Sequence, residues 1–98
     1  MLVGIVAFLV LASGGDAVGK PSAGETLTML REGNARFVSG KMDHPRCDNA
    51  RLKLAGSSDQ GKYAYATVLT CSDSRVPPEL IFDAGVMDLF VVRVAGNV

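Results

Sequence analysis

The apolar positions of this chain fall into separate runs, and the pattern of each run predicts an element. The first twelve residues, MLVGIVAFLVLA, are apolar without interruption. Between Pro21 and Lys41 the apolar residues fall broadly on one side of a helix, as in an amphipathic helix. Two later runs, YAYATVLT and DLFVVRVAGN, are apolar or β-branched on successive residues, which is typical of parallel strands covered on both faces.

The helical segment carries its own start and stop signals. Ser22 is the predicted N-cap, and Glu25, three residues later, is its capping-box partner. Gly40 is predicted to end the helix, whereas Gly33 and Asn34 interrupt its pattern. The apolar stripe consists of Leu27, Leu30, Phe37 and Val38.

The second half of the chain predicts a strand, a short helix and a strand. Pro77 and Pro78 suit a helix start, because the first turn needs no backbone donor, and PELIFDAG gives about two turns before a glycine stop. The polar segment 42–61 reads as a loop with a helical stretch around 50–54. The predicted fold class is α/β: an N-terminal helix followed by a βαβ unit of a mainly parallel sheet.

The apolar N-terminal run is shorter than the roughly 20 residues that a bilayer span needs, so no stable membrane span is expected. It resembles the apolar region of a secretory signal, with cleavage after Gly14 or Ala17, although no basic residue precedes Lys20. We therefore expect a leader over 1–17, a domain over 22–98 and a periplasmic or secreted protein. The alternative is a buried N-terminal segment in a cytoplasmic protein.

Length, charge and cysteine content limit the kinds of partner that this chain is expected to bind. The 98 residues make one small domain at most, and ten basic and ten acidic side chains leave a formal net charge of zero. This balance gives no electrostatic argument for nucleic acid, so small molecules or another subunit are expected. Two cysteines are too few for a disulfide scaffold.

The most informative stretch is TCSDSRVPPELIF, where Cys71, Asp73 and Arg75 occupy alternate positions. In extended backbone, alternate side chains point to the same side, so these three groups are expected to converge. A thiolate suits zinc, and a carboxylate beside it either joins the metal or stands next to it. Arg75 is expected to hold Asp73 with forked hydrogen bonds and so compete with the metal for it.

These residues carry a family resemblance. The stretch CSDSRVPPELIFDAGVMDLFVVRVAGNV resembles the active-site region of the β-class carbonic anhydrases, and MLREGNARFVSGK is similar to their N-terminal helix. The resemblance implies a zinc enzyme that interconverts carbon dioxide and bicarbonate. It also implies an α/β fold around a mainly parallel sheet and a homodimer or larger assembly.

By position, the resemblance implies that Cys71 is a zinc ligand and that Asp73 and Arg75 are the catalytic pair that orients zinc-bound hydroxide. In the closed state of the family, Asp73 would instead take the fourth metal position. Arg93 matches an arginine that binds bicarbonate at a regulatory site in some members, and Gly96 in the AGN run is a further bicarbonate-binding candidate.

The sequence also departs from the family. The family completes its zinc site with a downstream His-x-x-Cys pair, which is missing here, so we expect the N-terminal part of a domain that is incomplete relative to the family and inactive alone. One alternative is a structural zinc module of His44, Cys47 and Cys71, because HPRC spells His-x-x-Cys. The other is a non-catalytic dimerising remnant. Gln60 lies two places too early for the usual substrate contact.

Overall fold

The computed structural model describes the backbone of residues 9–12 and the whole of residues 19–96. The predicted cleavage points after Gly14 and Ala17 lie outside these ranges. In chain order the elements are β1 (Leu9–Ala12), α1 (Ala23–Ser39), α2 (Asn49–Ser57), a short 3-10 helix (Gln60–Lys62), β2 (Ala66–Cys71), α3 (Pro78–Ile81) and β3 (Leu89–Val94). Within the described ranges, no helix has the length and hydropathy needed to cross a bilayer.

The three strands form one sheet in the order β1-β2-β3. Strands β2 and β3 are parallel, with Ala66 opposite Leu89 and Cys71 opposite Val94, so the predicted βαβ unit and the α/β fold class are confirmed. Strand β1 pairs antiparallel with β2. Part of the apolar N-terminal run is therefore built into the sheet, while export of the protein stays a prediction.

The predicted ends of α1 are confirmed. Glu25 donates its amide to Ser22 Oγ at 3.2 Å, and the Ser22 amide donates to Glu25 Oε2 at 3.1 Å, which completes the capping box. Gly40 closes the helix in the left-handed region at φ 76°, a conformation that glycine adopts without steric cost.

The buried face of α1 differs from the predicted stripe. Thr26, Leu30 and Gly33 are buried, whereas Val38 is 76% exposed. A Cβ atom on Gly33 would lie 1.8 Å from the Phe82 carbonyl oxygen, and Asn34 Nδ2 donates to the Ile81 carbonyl at 3.0 Å. The two residues that seemed to interrupt the helix are therefore the ones that let it approach the end of α3.

The core lies between α1 and one face of the sheet. It contains Leu30, Tyr65, Ala66, Val68, Ala84 and Leu89. Along β3 the side chains alternate, and the outward ones remain exposed: Phe90 at 40% and Val92 at 50%. The prediction that β3 is covered on both faces is therefore wrong for the described residues, because α1 covers only one of them.

Helix α3 has one turn rather than the predicted two. The chain leaves it through Asp83, which is buried at a positive φ of 46°. Gly85, the predicted stop, has another role, since a Cβ atom there would lie 2.2 Å from the Pro45 carbonyl oxygen. The turn after α3 is thus shaped by close contact with the loop that follows α1.

Two buried carboxylates fix this contact, and Asp83 is the first. It accepts hydrogen bonds from Arg36 Nε at 2.6 Å and from the amides of Asp43 and His44 at 2.9 and 3.0 Å. Burial raises the pKa of this carboxyl, but the hydrogen bonds from Arg36 and the two amides outweigh burial and hold it below its ordinary value.

The second carboxylate, Asp88, closes the same turn from the other side. Its oxygens accept from Arg46 Nε at 2.8 and 2.9 Å, from Arg51 Nη2 at 3.1 Å and from the Gly85 amide at 2.7 Å. A buried carboxylate with this many donors is compensated for the loss of water.

We expect Gly33→Ala to destabilise the fold by about 3 kcal/mol, because the added methyl group meets a backbone carbonyl that cannot rotate away. The matched control is Gly24→Ala in the same helix, where no atom lies within 4 Å of the new Cβ. The control should be neutral or stabilising by up to about 1 kcal/mol. Urea unfolding of both variants checks this, and equal losses of stability would contradict the packing described.

Asp83→Asn should cost about 3 kcal/mol at neutral pH, because it leaves Arg36 without its buried partner charge. Since the folded pKa is depressed, the stabilisation by Asp83 is complete above the unfolded pKa of about 3.9 and is lost as pH falls through the folded pKa. The variant should therefore lose less stability than the parent on acidification. Asp43→Asn is the control, since that carboxylate is 73% exposed and 3.6 Å from Arg36 Nε. If the free energy of unfolding of the parent and of Asp83→Asn fell equally on acidification, the stabilising role of the Asp83 carboxylate would be refuted.

Candidate active-site loop

The candidate site is the loop that leaves the carboxyl end of β2. The last ladder bond beyond the strand runs from the Ser72 amide to the Val94 carbonyl at 2.8 Å. The backbone then turns, and the Val76 amide donates to the Asp73 carbonyl at 3.2 Å. Pro77 and Pro78 follow and start α3, as predicted. Open α/β sheets bind their ligands at this end of the strands.

Asp73 and Arg75 form a forked ion pair. Arg75 Nε lies 3.0 Å from Asp73 Oδ1, and Nη2 lies 2.6 Å from Oδ2. The Arg75 amide also donates to Oδ1 at 2.8 Å, so the carboxylate closes a turn of its own backbone. The grip predicted for Arg75 is present, but it arises from this turn. The predicted alternation along extended backbone is wrong, because β2 ends at Cys71.

The ion pair favours the charged form of both partners. The side-chain hydrogen bonds from Arg75, followed by its amide, hold the pKa of Asp73 far below its ordinary value. Asp73 in turn raises the pKa of Arg75. The ionised carboxylate has no proton and acts only as a hydrogen-bond acceptor.

Cys71 stands at the other end of the same short loop. Its side chain is half-buried, and Sγ accepts a weak hydrogen bond from the Asp73 amide at 3.4 Å. The sulfur and the ion pair are therefore held within five residues by local backbone geometry. The roles that the resemblance gives to these three residues stay predictions.

Arg93 braces this loop from β3. Its Nη2 donates to the Asp73 carbonyl at 2.7 Å and reaches the Val76 carbonyl at 3.5 Å. Sequence reasoning missed this contact, because the contact depends on the parallel register, which puts Arg93 opposite Thr70. Gly96 is exposed at a positive φ of 46°. Bicarbonate binding by either residue stays a prediction.

The other metal candidates lie elsewhere. Among residues 9–12 and 19–96, no three His, Cys, Asp or Glu side chains form a group that could hold a metal ion. Cys47 is exposed and its Sγ contacts the Pro45 carbonyl at 3.1 Å, while the His44 amide donates to Asp83. The structure thus does not assemble the zinc module of His44, Cys47 and Cys71.

Gln60, which the sequence places two positions too early for a substrate contact, has a structural role instead. Its Nε2 donates to the Leu89 carbonyl at 3.2 Å.

Replacing Arg75 should move the titration of Asp73. In Arg75→Ala the carboxyl loses its fork, so its pKa should rise towards the ordinary value of about 3.9. Arg75→Lys keeps the positive charge without the fork, so the pKa of Asp73 in this variant should lie between its values in Arg75→Ala and in the parent. Carbon-detected NMR titration of the Asp73 carboxyl measures all three proteins. Identical titration curves would show that the pair does not exist in solution.

Comparison with known proteins agrees with this geometry. Residues 66–98 match the sequence model of the family described as carbonic anhydrase. The chain is 47% identical over 70 residues to carbonic anhydrase 2 of Mycobacterium tuberculosis and 45% identical over 69 residues to a carbonic anhydrase of Mycolicibacterium smegmatis. It is 50% identical over 69 residues to a carbonic anhydrase of Synechocystis.

Each of these matches includes 70% of this chain. The chain spans 32% of the length of the two mycobacterial relatives and 23% of the Synechocystis protein. The matched part includes β2, the Cys71 loop, α3 and β3. Residues 66–98 therefore match the carbonic anhydrase family, whose β class the sequence resembles.

Proposed function

We propose that this chain supplies the cysteine and the Asp–Arg pair of a β-class carbonic anhydrase site. In this proposal the protein catalyses the reversible hydration of carbon dioxide to bicarbonate. The observation that carries the proposal is the forked Asp73–Arg75 pair, which lies two residues beyond Cys71 at the carboxyl end of β2. The three similar proteins named above are carbonic anhydrases, which supports the reaction.

The proposal includes zinc, and the described residues can be tested against it. Zinc in proteins takes four ligands, or three ligands and a water. The described chain offers the Cys71 sulfur, a suitable soft ligand, but no group of three ligating side chains. A complete zinc site therefore does not fit these residues alone, and we assign no step through the metal. Any further ligands would come from outside the described residues.

The chain's own contribution is to hold the ionised Asp73 carboxylate in place. Arg75 binds both carboxylate oxygens, so the Asp73 side chain is held against the guanidinium. Oδ1 already accepts from the Arg75 amide and from Nε, whereas Oδ2, which Nη2 binds at 2.6 Å, is the oxygen that can accept a further hydrogen bond from a hydroxyl group and so orient it. An acceptor without a proton fixes which way such a hydroxyl points, and this is positioning rather than proton transfer.

Assembly and location are further parts of the proposal. A homodimer or larger assembly is supported by the exposed apolar side chains of β3, Phe90, Val92 and Val94, which would gain cover from another surface. A periplasmic or secreted location is supported by the apolar N-terminal run.

The two cysteines provide a matched test. In the purified gene product that contains this chain, Cys71→Ser should remove bound zinc and reduce carbon dioxide hydration at least about 100-fold, because a metal ligand is lost. Cys47→Ser should leave both unchanged, since Cys47 is exposed and remote from the ion pair in sequence. Zinc per chain is measured by atomic absorption, and hydration by stopped flow. Equal zinc content in the Cys71→Ser variant and its parent would refute the proposal, and zinc-free parent protein would favour the non-catalytic remnant.

A further inference from the structure

A concave region lies at the opposite end of the sheet from the Cys71 loop. It is a cleft of about 340 Å³, in the size range of small-molecule sites. Tyr63 and Tyr65, just before β2, and Asp88, just before β3, contribute to its wall. The other lining residues are Gly19, Lys20, Pro21, Met29, Arg46, Arg51 and Lys62.

The cleft has a strong excess of positive charge. Four lining residues are cationic, Lys20, Arg46, Arg51 and Lys62, and among the described residues Asp88 is the acidic member of the lining. Asp88 is already paired with both arginines. The described lining therefore carries an excess of three positive charges in a chain whose formal net charge is zero.

Two of the cationic groups, Arg51 and Lys20, are held in place by contacts with the protein. Arg51 is fixed by Asp88, by the Val86 carbonyl at 2.8 Å and by the Tyr63 ring, whose centroid lies 5.1 Å from the guanidinium carbon. Lys20 Nζ donates one hydrogen bond to the Gly61 carbonyl and keeps two further donors. Within the described residues, the Lys62 ammonium has no ion-pair partner.

The rest of the lining is apolar or aromatic, with Pro21, Met29 and the two tyrosines. A bare inorganic anion would leave these walls without contact. Guanidinium groups match the oxygens of phosphate groups well, and a phosphate monoester carries close to two negative charges at neutral pH. We propose that this cleft binds an organic phosphate monoester with a compact apolar part.

The cleft and the Cys71 loop are separate sites. The six residues of β2 lie between them, which corresponds to about 20 Å at roughly 3.3 Å per residue. None of the lining residues belongs to the Cys71 loop. The proposal is therefore independent of the carbonic anhydrase function, and a change at Asp73 should leave anion binding unaltered.

Titration calorimetry of the full chain in a phosphate-free, low-salt buffer tests the proposal with three probes: phenyl phosphate, inorganic phosphate and phenol. We expect phenyl phosphate to bind with one site per chain and more tightly than inorganic phosphate, and phenol not to bind. Lys62→Gln should weaken binding about tenfold, because a charged hydrogen-bond donor is lost. The matched control, Lys53→Gln on α2, removes the same charge outside the cleft lining and should bind like the parent.

The outcomes separate the possibilities. The absence of binding by phenyl phosphate would overturn the proposal, and so would equal affinities of the Lys62→Gln and Lys53→Gln variants. Inorganic phosphate binding as tightly as phenyl phosphate would overturn the organic part of the assignment. Unchanged phenyl phosphate affinity in Asp73→Asn would support the separation of the two sites, whereas a large loss would contradict it.

Discussion

The close approach of α1 to the chain reversal after α3 is the constraint on which the rest of this structure depends. Gly33 permits it, because its missing side chain leaves room for the Phe82 carbonyl oxygen. Asn34 then satisfies the Ile81 carbonyl at the end of the one-turn helix. With α1 held there, α3 has a fixed position beside α1. The Cys71 loop connects β2 to α3, so its path is fixed at both ends.

Buried charge reinforces this arrangement. Asp83 and Asp88 lie on the same turn between α3 and β3, and each collects donors from segments far away in sequence. Asp83 connects the turn to α1 and the loop after it, and Asp88 connects it to Arg46 and to α2. Removing two carboxylates from water is costly, and several charged or backbone donors for each one offset that cost. The loop over residues 43–46 is ordered in this way without a large apolar core of its own.

The Cys71 loop follows a different principle, because most of its geometry is local. The amide of Arg75 and its guanidinium both bind the Asp73 carboxylate, so a three-residue segment builds the ion pair. Arg93 adds the tertiary support by binding the Asp73 carbonyl across the parallel pair of strands. Local geometry at the end of a buried strand suits a site that must be rigid, since the strand itself cannot shift without breaking the sheet.

Local signals in the sequence were sufficient to predict α1, its capping box, its glycine end, the proline start of α3 and the parallel strand pair. Except for the strand pair, which follows from two apolar runs joined by a short crossover, each depends on backbone preferences within a few residues, and the same is true of the Asp73–Arg75 grip. Tertiary structure alone decided three features: the buried face of α1, the single turn of α3 and the open face of β3. Each is set by which surfaces of the folded chain meet. Gly33 and Gly85 illustrate the difference: from sequence they look like interruptions or stops, but close contact with Phe82 and Pro45 gives them their role. The cationic cleft also required the fold, since its lysines and arginines come from separate parts of the chain and approach one another only because the buried carboxylates and the sheet bring those segments together.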